Sequence, residues 1–525
     1  MMNIPAVDWL ARRASLTPER VALVDTLNQG RVMTYRAWNE QANRTARFLR
    51  EALGVQMGDR VAILALNSVE YLDLWFALGK LGAVLQNLNW RLAAPELQTI
   101  IENAAPTALV YGREFSDVVK TLRAQTPGVR HWVALEQPCA PADHRFSERE
   151  ACSGADLPEI GFDWEQPWVI CYTGGTTDQP KGAILTHRAI TANAVNTVVS
   201  WGLTADDVAI LNAPLFHTGG LNVFTAPLVH VGGASVVCQG FNADQVFDLV
   251  ARGVAGMQVT LYFGVPTMFI TLQEHPCWEA ADFSRLKLVI SGGAPCPLPV
   301  FERFWAKGVD FKTGYGLTEA GPNTFWLPKR DVRRKPGAVG FPLFHVQVKL
   351  VQPDGQRCGP QQPGELLVRG PHVCAGYWNN PAASAAAIDA DGWLHTGDVA
   401  ICDEEGYYTI VGRLKEMIIS GGENIYPAEI ESVACGHPAI VSAALIGVPD
   451  PHWGEVGRLI VVLRPEAVGP RVTGAVAWDE KEFLDYLRVR LARYKVPKSV
   501  VVASQLPQTG AGKIDKKKLF SLYGQ

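Results

Sequence analysis

The stretch Gly58-Asp59-Arg60-Val61-Ala62-Ile63-Leu64-Ala65-Leu66-Asn67-Ser68 sets the fold class. Its apolar run, residues 61–66, is short and bounded by polar turns, the pattern of a buried strand. Ser68 can then accept from the free N–H groups of a helix start. Tyr71, Leu72, Trp75, Phe76 and Leu78 follow at helical spacing. Gly82-Ala83-Val84-Leu85 begins a second strand. The same alternation recurs at 208–211 followed by 220–228, and at 286–291 followed by 299–305. Repeated strand–helix–strand units build layered α/β structure with mostly parallel sheets.

Beyond about residue 340 the texture changes. Short β-like segments at 346–351, 364–368 and 407–411 are separated by Pro-Asp-Gly, Asp-Gly-Trp and Glu-Glu-Gly turns. They predict a β-rich subdomain over about 340–412, drawn as a small barrel. A compact α+β unit follows, with helices at 427–435 and 479–493, strands at 440–448 and 459–463, and an exposed loop at 464–478. The expected architecture is therefore α/β: a large N-terminal domain (1–413) of layered sheets, and a small α+β C-terminal domain (414–525).

Composition agrees. A chain of 525 residues with 48% hydrophobic and 19% charged residues has ample material for large cores and is not disordered. A net charge of −4 exerts no whole-chain pull on nucleic acid, and none is expected as a partner. The ten cysteines contain no CxxC pair, which speaks against a zinc or redox framework. The N-terminus reads as a short amphipathic helix, and no apolar run approaches the length of about 18 residues that a spanning segment needs. A soluble cytoplasmic protein is the expectation.

Several motifs carry chemistry. After the apolar segment 168–171 comes Tyr172-Thr173-Gly174-Gly175-Thr176-Thr177-Asp178-Gln179-Pro180-Lys181-Gly182. Glycines admit backbone N–H groups to a polyphosphate, hydroxyls donate, and lysine supplies charge. The other reading is a surface turn. The loop is not a Walker A motif, because Pro180 precedes the lysine and Gly182 follows it. In Gly314-Tyr315-Gly316-Leu317-Thr318-Glu319, the carboxylate is either a magnesium ligand or a helix-start residue answering the dipole. Asp398, in Asp391-Gly392-Trp393-Leu394-His395-Thr396-Gly397-Asp398, could accept from ribose hydroxyls or merely cap a turn. Arg413, in Gly412-Arg413-Leu414-Lys415-Glu416, suits ribose or phosphate, or an interdomain ion pair. Lys513 stands on the glycine-rich Thr509-Gly510-Ala511-Gly512-Lys513, where the plain reading is a solvated lysine.

Taken in order, these motifs resemble the acyl-adenylate-forming superfamily of acyl- and aryl-CoA ligases, luciferases and adenylation domains. The resemblance spans essentially the whole chain. It is reinforced by Ala213-Pro214-Leu215-Phe216-His217, Ser291-Gly292-Gly293-Ala294-Pro295 and Gly376-Tyr377-Trp378-Asn379-Asn380-Pro381. It implies a carboxylic acid:CoA ligase using ATP, Mg²⁺ and CoA. An acyl-adenylate forms with loss of pyrophosphate, and a thiol then displaces AMP. Thr173, Gly174, Gly175, Thr176, Thr177 and Lys181 would hold phosphates, with Thr173 and Glu319 on the metal. Gly293, Ala294 and Tyr315 would flank adenine, Thr318 would meet the α-phosphate, and Asp398 and Arg413 would hold ribose.

The resemblance also makes Lys513 the bridge between acyl carboxylate and α-phosphate, and the small domain a mobile lid hinged at Lys415. Gly421, Gly422 and Glu423 would line the CoA path. His217 would gate an acyl pocket with Gly220, Leu221, Ser291, Gly292 and Gly316. The family loop more often has serine at position 174 and glycine at 178, so one hydroxyl is lost here and Asp178 adds a charge. The apolar pocket favours a fatty or an aromatic acid. A carrier-protein acceptor and a non-catalytic nucleotide-binding regulator are the alternatives, and a homodimer is an admitted state.

Overall fold

The computed structural model describes residues 5–28, 30–158, 161–173, 180–421, 423–467, 478–509 and 514–525. The strand read from 61–66 is Arg60–Leu64, and Ser68 caps the helix Val69–Leu81 by accepting from Tyr71 N–H. That helix is buried on all sides, because it lies between two sheets rather than on a surface. Trp168 donates its indole N–H to Trp75 O at 2.9 Å, so the sheet touches the helix backbone. Gly79 permits this approach: a Cβ there would stand 2.6 Å from the Trp168 ring.

The first sheet runs in the order His144–Arg145, His131–Ala134, Ala108–Tyr111, Arg60–Leu64, Val84–Asn87, Pro167–Thr173, Lys181–Thr186. All neighbours are parallel except the last pair, a hairpin. The second runs Lys312–Thr313, Leu288–Ser291, Leu261–Gly264, Val208–Leu211, Ala234–Val237, Val21–Asp25, Arg31–Thr34, again parallel up to an antiparallel edge. One core, including Ile63, Leu85, Trp38, Trp75, Leu211 and Val237, joins both sheets through the helices Tyr35–Arg47 and Val69–Leu81.

The β-rich part differs from the expected barrel. It is an antiparallel meander, Gln347–Val351, Gly364–Arg369, Leu394–Cys402 and Tyr408–Arg413. Among the described residues no pairing closes its ends on each other. Leu394–Cys402, read from sequence as a turn motif, is its longest strand. The expected helix 220–228 is broken into Thr218–Gly220, a π-helical stretch Leu221–Thr225, and Ala226–Val231. Pro227 has no N–H for the Val223 carbonyl, which instead accepts from Asn323 Nδ2 at 3.0 Å.

The C-terminal sheet contains Ile418–Ser420, Glu423–Ile425, Gly454–Leu463 and Ile440–Asp450, with Ser499–Val502 along Gly454–Leu463. Its core includes Ile430 and Ala434 from helix Pro427–Cys435 and Phe483 and Leu487 from Glu480–Arg488. The helix Glu480–Arg488 is shorter than the expected 479–493: its end tightens as Arg490 N–H bonds Leu487 O at 3.0 Å, and Arg490 folds over the Tyr486 ring. Of the loop 464–478, residues 468–477 lie outside the described residues, and Ala467 is buried. Among the described residues no helix is long and apolar enough to cross a membrane.

Candidate active site

Parallel strands deliver their carboxyl ends, and the loops beyond them, to one side of a sheet, where α/β proteins build their sites. Here those ends are Thr173, Ser291 and Thr313. Thr173 ends its strand directly opposite Lys181, so the phosphate-loop candidate is the connection of a hairpin. Gly182 lets that hairpin close, since a Cβ there would lie 2.7 Å from Ile170 Cγ2 and 3.0 Å from the Tyr172 ring. Gly174, Gly175, Thr176, Thr177 and Asp178 lie outside the described residues.

Two polar clusters involve the candidate residues. In the first, Thr173 Oγ1 lies 3.4 Å from Glu319 Oε1, and Tyr377 donates its hydroxyl to the same oxygen at 2.9 Å. Lys181 Nζ lies 5.4 Å from the centre of the Tyr377 ring. Glu319 belongs to the short turn Thr318–Ala320, and its carbonyl accepts from Cys374 N–H at 2.8 Å. Tyr377 is therefore fixed from both sides, because residue 377 also bridges Ala183 on the hairpin. Burial, and then the Glu319 charge, push its hydroxyl pKa up, so it remains a donor. Sequence reasoning assigned Tyr377 no role. Its only signal was membership of the Gly376–Pro381 motif.

In the second cluster, Asp398 and Arg413 are direct cross-strand partners, with Arg413 Nε 2.8 Å from Asp398 Oδ1. Tyr315 donates its hydroxyl to Asp398 Oδ2 at 2.7 Å. Asp398 is buried, whereas Arg413 is half-exposed. Burial raises the Tyr315 hydroxyl pKa, and the Asp398 charge raises it further. Asp398 is thus a strand residue in a hydrogen-bonded ion pair, not a turn cap. Arg413 pairs within the meander, not across domains.

The loop 314–324 connects the clusters, since it carries Tyr315, Thr318 and Glu319. Gly314 N–H bonds Ser291 O at 2.7 Å. Gly316 closes on Pro322: a Cβ would stand 2.3 Å from the Pro322 carbonyl oxygen. Gly293, at φ 81°, turns the chain beyond Ser291 and Gly292 toward Ala294.

The residues expected in the acyl pocket divide. An apolar cavity of about 10 Å³, about what a single water needs, is lined by Ala213, Gly219, Gly220, Val223, Phe224 and Phe263. The Phe263 ring fills the space that Gly219 and Gly292 leave open, since Cβ atoms there would meet it at 3.3 and 3.0 Å. Leu221 is fully buried in the core shared by the two large sheets. His217 precedes Thr218–Gly220, with its ring 4.4 Å from that of Phe216.

Lys415 lies on the turn Leu414–Glu416, and burial followed by repulsion from Arg413 lowers its pKa. Gly421 follows Ile418–Ser420 at φ 58° and packs under Trp453, where a Cβ would stand 2.5 Å from the ring. Glu423, exposed, pairs across from Ser420. Gly422 and Lys513 lie outside the described residues.

A family model described as AMP-binding enzyme matches residues 10–378, and one described as AMP-binding enzyme C-terminal domain matches 429–513. The chain belongs to the AMP-binding enzyme family. It is 40% identical over 524 residues to a feruloyl-CoA synthase of Amycolatopsis sp, covering 100% of both chains. It is 37% identical to an indoleacetate–CoA ligase of Aromatoleum aromaticum (97% and 96% covered), and 35% to the long-chain-fatty-acid–CoA ligase FadD13 of Mycobacterium tuberculosis (98% of each). Among solved structures, ATP-bound MatB from Rhodopseudomonas palustris superposes with a TM-score of 0.87 at 31% identity, covering 99% of each chain. An anthranilate CoA ligase in complex with anthranoyl-AMP gives 0.89 at 27% identity, covering 99% and 98%.

Proposed function

We propose that this chain is an ATP-dependent, AMP-forming acid:CoA ligase that activates a hydrophobic acid, with aryl and arylalkenoic acids foremost. The observation that carries the reading is that one loop, 314–324, supplies Tyr315 to the Asp398–Arg413 pair and Glu319 to Thr173. The first group suits a ribose, whose two hydroxyls can donate to one carboxylate. The second suits the phosphate end. Full-length likeness to feruloyl-CoA synthase and indoleacetate–CoA ligase supports the aromatic preference.

Glu319 and Thr173 supply one carboxylate and one hydroxyl, a sparse donor set. Among the described residues no cluster of three His, Cys, Asp or Glu could hold a metal. The Glu319 carboxylate and the Thr173 hydroxyl are hard oxygen donors of the kind that Mg²⁺ takes, with phosphate oxygens and water filling the rest of its shell. Bound there, it would neutralise phosphate charge. The chain's own residues do the positioning. Gly174, Gly175, Thr176, Thr177 and Lys181 hold the phosphates, and Gly293, Ala294 and Tyr315 flank adenine. Thr318 stands at the α-phosphate. Lys513 binds the acyl carboxylate and the α-phosphate oxygen as the new bond forms. The division at 413/414 lets residues 414–525 turn about Lys415, withdrawing Lys513 and admitting CoA past Gly421, Gly422 and Glu423 to an acyl group gated by His217.

The test is AMP release dependent on acid and on CoA, across cinnamic, indoleacetic, benzoic and fatty acids, with a phosphopantetheinyl carrier protein as the rival acceptor. Turnover on the aromatic acids with free CoA is expected. Transfer only to the carrier, or no pyrophosphate release with any acid, contradicts the reading.

A further inference from the structure

The 314–324 loop leaves the second sheet at its edge strand, Lys312–Thr313, and returns as Phe325–Trp326. The first pairs with Leu288–Ser291 and the second with Phe341–Pro342. Among the described residues no strand ladder joins the two ends of the loop. At its base one backbone hydrogen bond, Thr324 N–H to Tyr315 O at 3.0 Å, ties the ends together, and just outside it a side chain spans the two strands. Lys312 Nζ donates to Leu327 O at 2.7 Å and lies 3.5 Å from the centre of the Trp326 ring. Trp326 in turn stacks on Trp201, at the end of helix His187–Trp201, with ring centres 5.6 Å apart.

Lys312 is only 3% exposed. An ammonium buried among aromatic rings is costly, and a methionine would fill the space without that cost. What methionine could not provide is a charged donor spanning from the sheet edge to the far end of the loop.

We propose that Lys312 is a positioning residue whose ammonium clasps the base of the 314–324 loop, holding Tyr315, Thr318 and Glu319 at the spacing that nucleotide binding requires. The proposal rests on the functional reading above, since those three groups act on ATP there. The clasp depends on pH. Burial brings the Lys312 amine down to about 7. Asp310, on its own side, raises it, and Lys329, from the turn Lys329–Asp331, lowers it; these two also pair with each other at 3.2 Å. Deprotonation removes the cation–π attraction and the charge assistance to Leu327 O. The loop base therefore loosens as pH rises through about 7.

The test is acid-dependent ATP–pyrophosphate exchange by wild type, Lys312→Arg, Lys312→Met and Trp326→Leu, followed from about pH 6 to about pH 8.5. The wild-type KM for ATP should climb with pH. Lys312→Arg, which stays charged, should flatten that climb at a low KM. Lys312→Met should raise the ATP KM about five- to tenfold at the acid end, independent of pH, and leave the KM for the acid unchanged. Trp326→Leu, which removes the ring but leaves the bond to Leu327 O, should make that climb shallower. If Lys312→Met does not fold, the other two variants decide. An arginine variant whose ATP KM still climbs as in wild type, or a methionine variant that matches wild type, overturns the clasp. A wild type with no exchange at all sinks the functional reading and the clasp together. A wild type that exchanges, with variants unaltered, sinks only the clasp.

Discussion

Asp398 is buried and shared between a guanidinium and a phenol, so its charge is prepared before any ligand arrives. Hydrogen bonds to a charged group contribute about 1.5–3 kcal/mol. Asp398→Asn keeps the shape and removes the charge. It should raise the ATP KM by about tenfold to a hundredfold and leave the KM for the acid unchanged. An unaltered ATP KM in exchange assays contradicts the ribose role. A second prediction concerns His187, stacked on Trp168 with ring centres 4.5 Å apart. Burial pushes its pKa from 6.5 down to about 3. Between those values the unfolded chain binds a proton that the folded chain does not, so stability falls as pH drops below 6.5. His372, brought to about 4 by burial, acts in the same direction. His187→Phe keeps the stack and removes the proton. Its melting temperature should decline less steeply than wild type between about pH 6.5 and 4.5, and parallel curves would contradict this.

At the scale of elements, the functional loops are shaped by close backbone approaches. Gly316→Ala places a Cβ against the Pro322 carbonyl, a backbone atom that cannot swing aside. It should cost about 1–3 kcal/mol of stability and slow adenylation. Gly128→Ala, where nothing lies within 4 Å, is the control and should match wild type in its denaturation midpoint. A neutral Gly316→Ala would show that the loop has another route. The same scale shows what the sequence could and could not reveal. Strands such as Arg60–Leu64 and Val208–Leu211 and the helix Pro427–Cys435 were legible because short apolar runs mark the strands and a proline marks the helix start. Leu394–Cys402 was not, because its glycine and polar residues hide a strand whose register is set by distant partners. The break near Pro227 depends on Asn323, almost a hundred positions away, which no local window contains. Thr173, Glu319, Asp398 and Arg413 were singled out through their motifs, and the structure pairs Thr173 with Glu319 and Asp398 with Arg413. Tyr377 escaped because its importance lies in the partner its hydroxyl reaches.

At the scale of the whole molecule, Val21–Asp25 near the chain start pairs with Ala234–Val237, and one core ties both large sheets into a single body. The C-terminal sheet has separate cores of its own. Between them lies the turn Leu414–Glu416, with Glu416 3.4 Å from Lys516. A hinge there must change backbone angles, which proline would restrict. Lys415→Pro should slow AMP release more than pyrophosphate release, and equal slowing would remove the hinge from the account. The most direct test concerns Lys513, whose amine we propose arrives for the first half-reaction and leaves for the second. With Lys513→Ala, pyrophosphate formation from acid and ATP should collapse, while conversion of supplied acyl-adenylate and CoA to thioester should persist near the wild-type rate. Equal loss of both half-reactions would contradict the account.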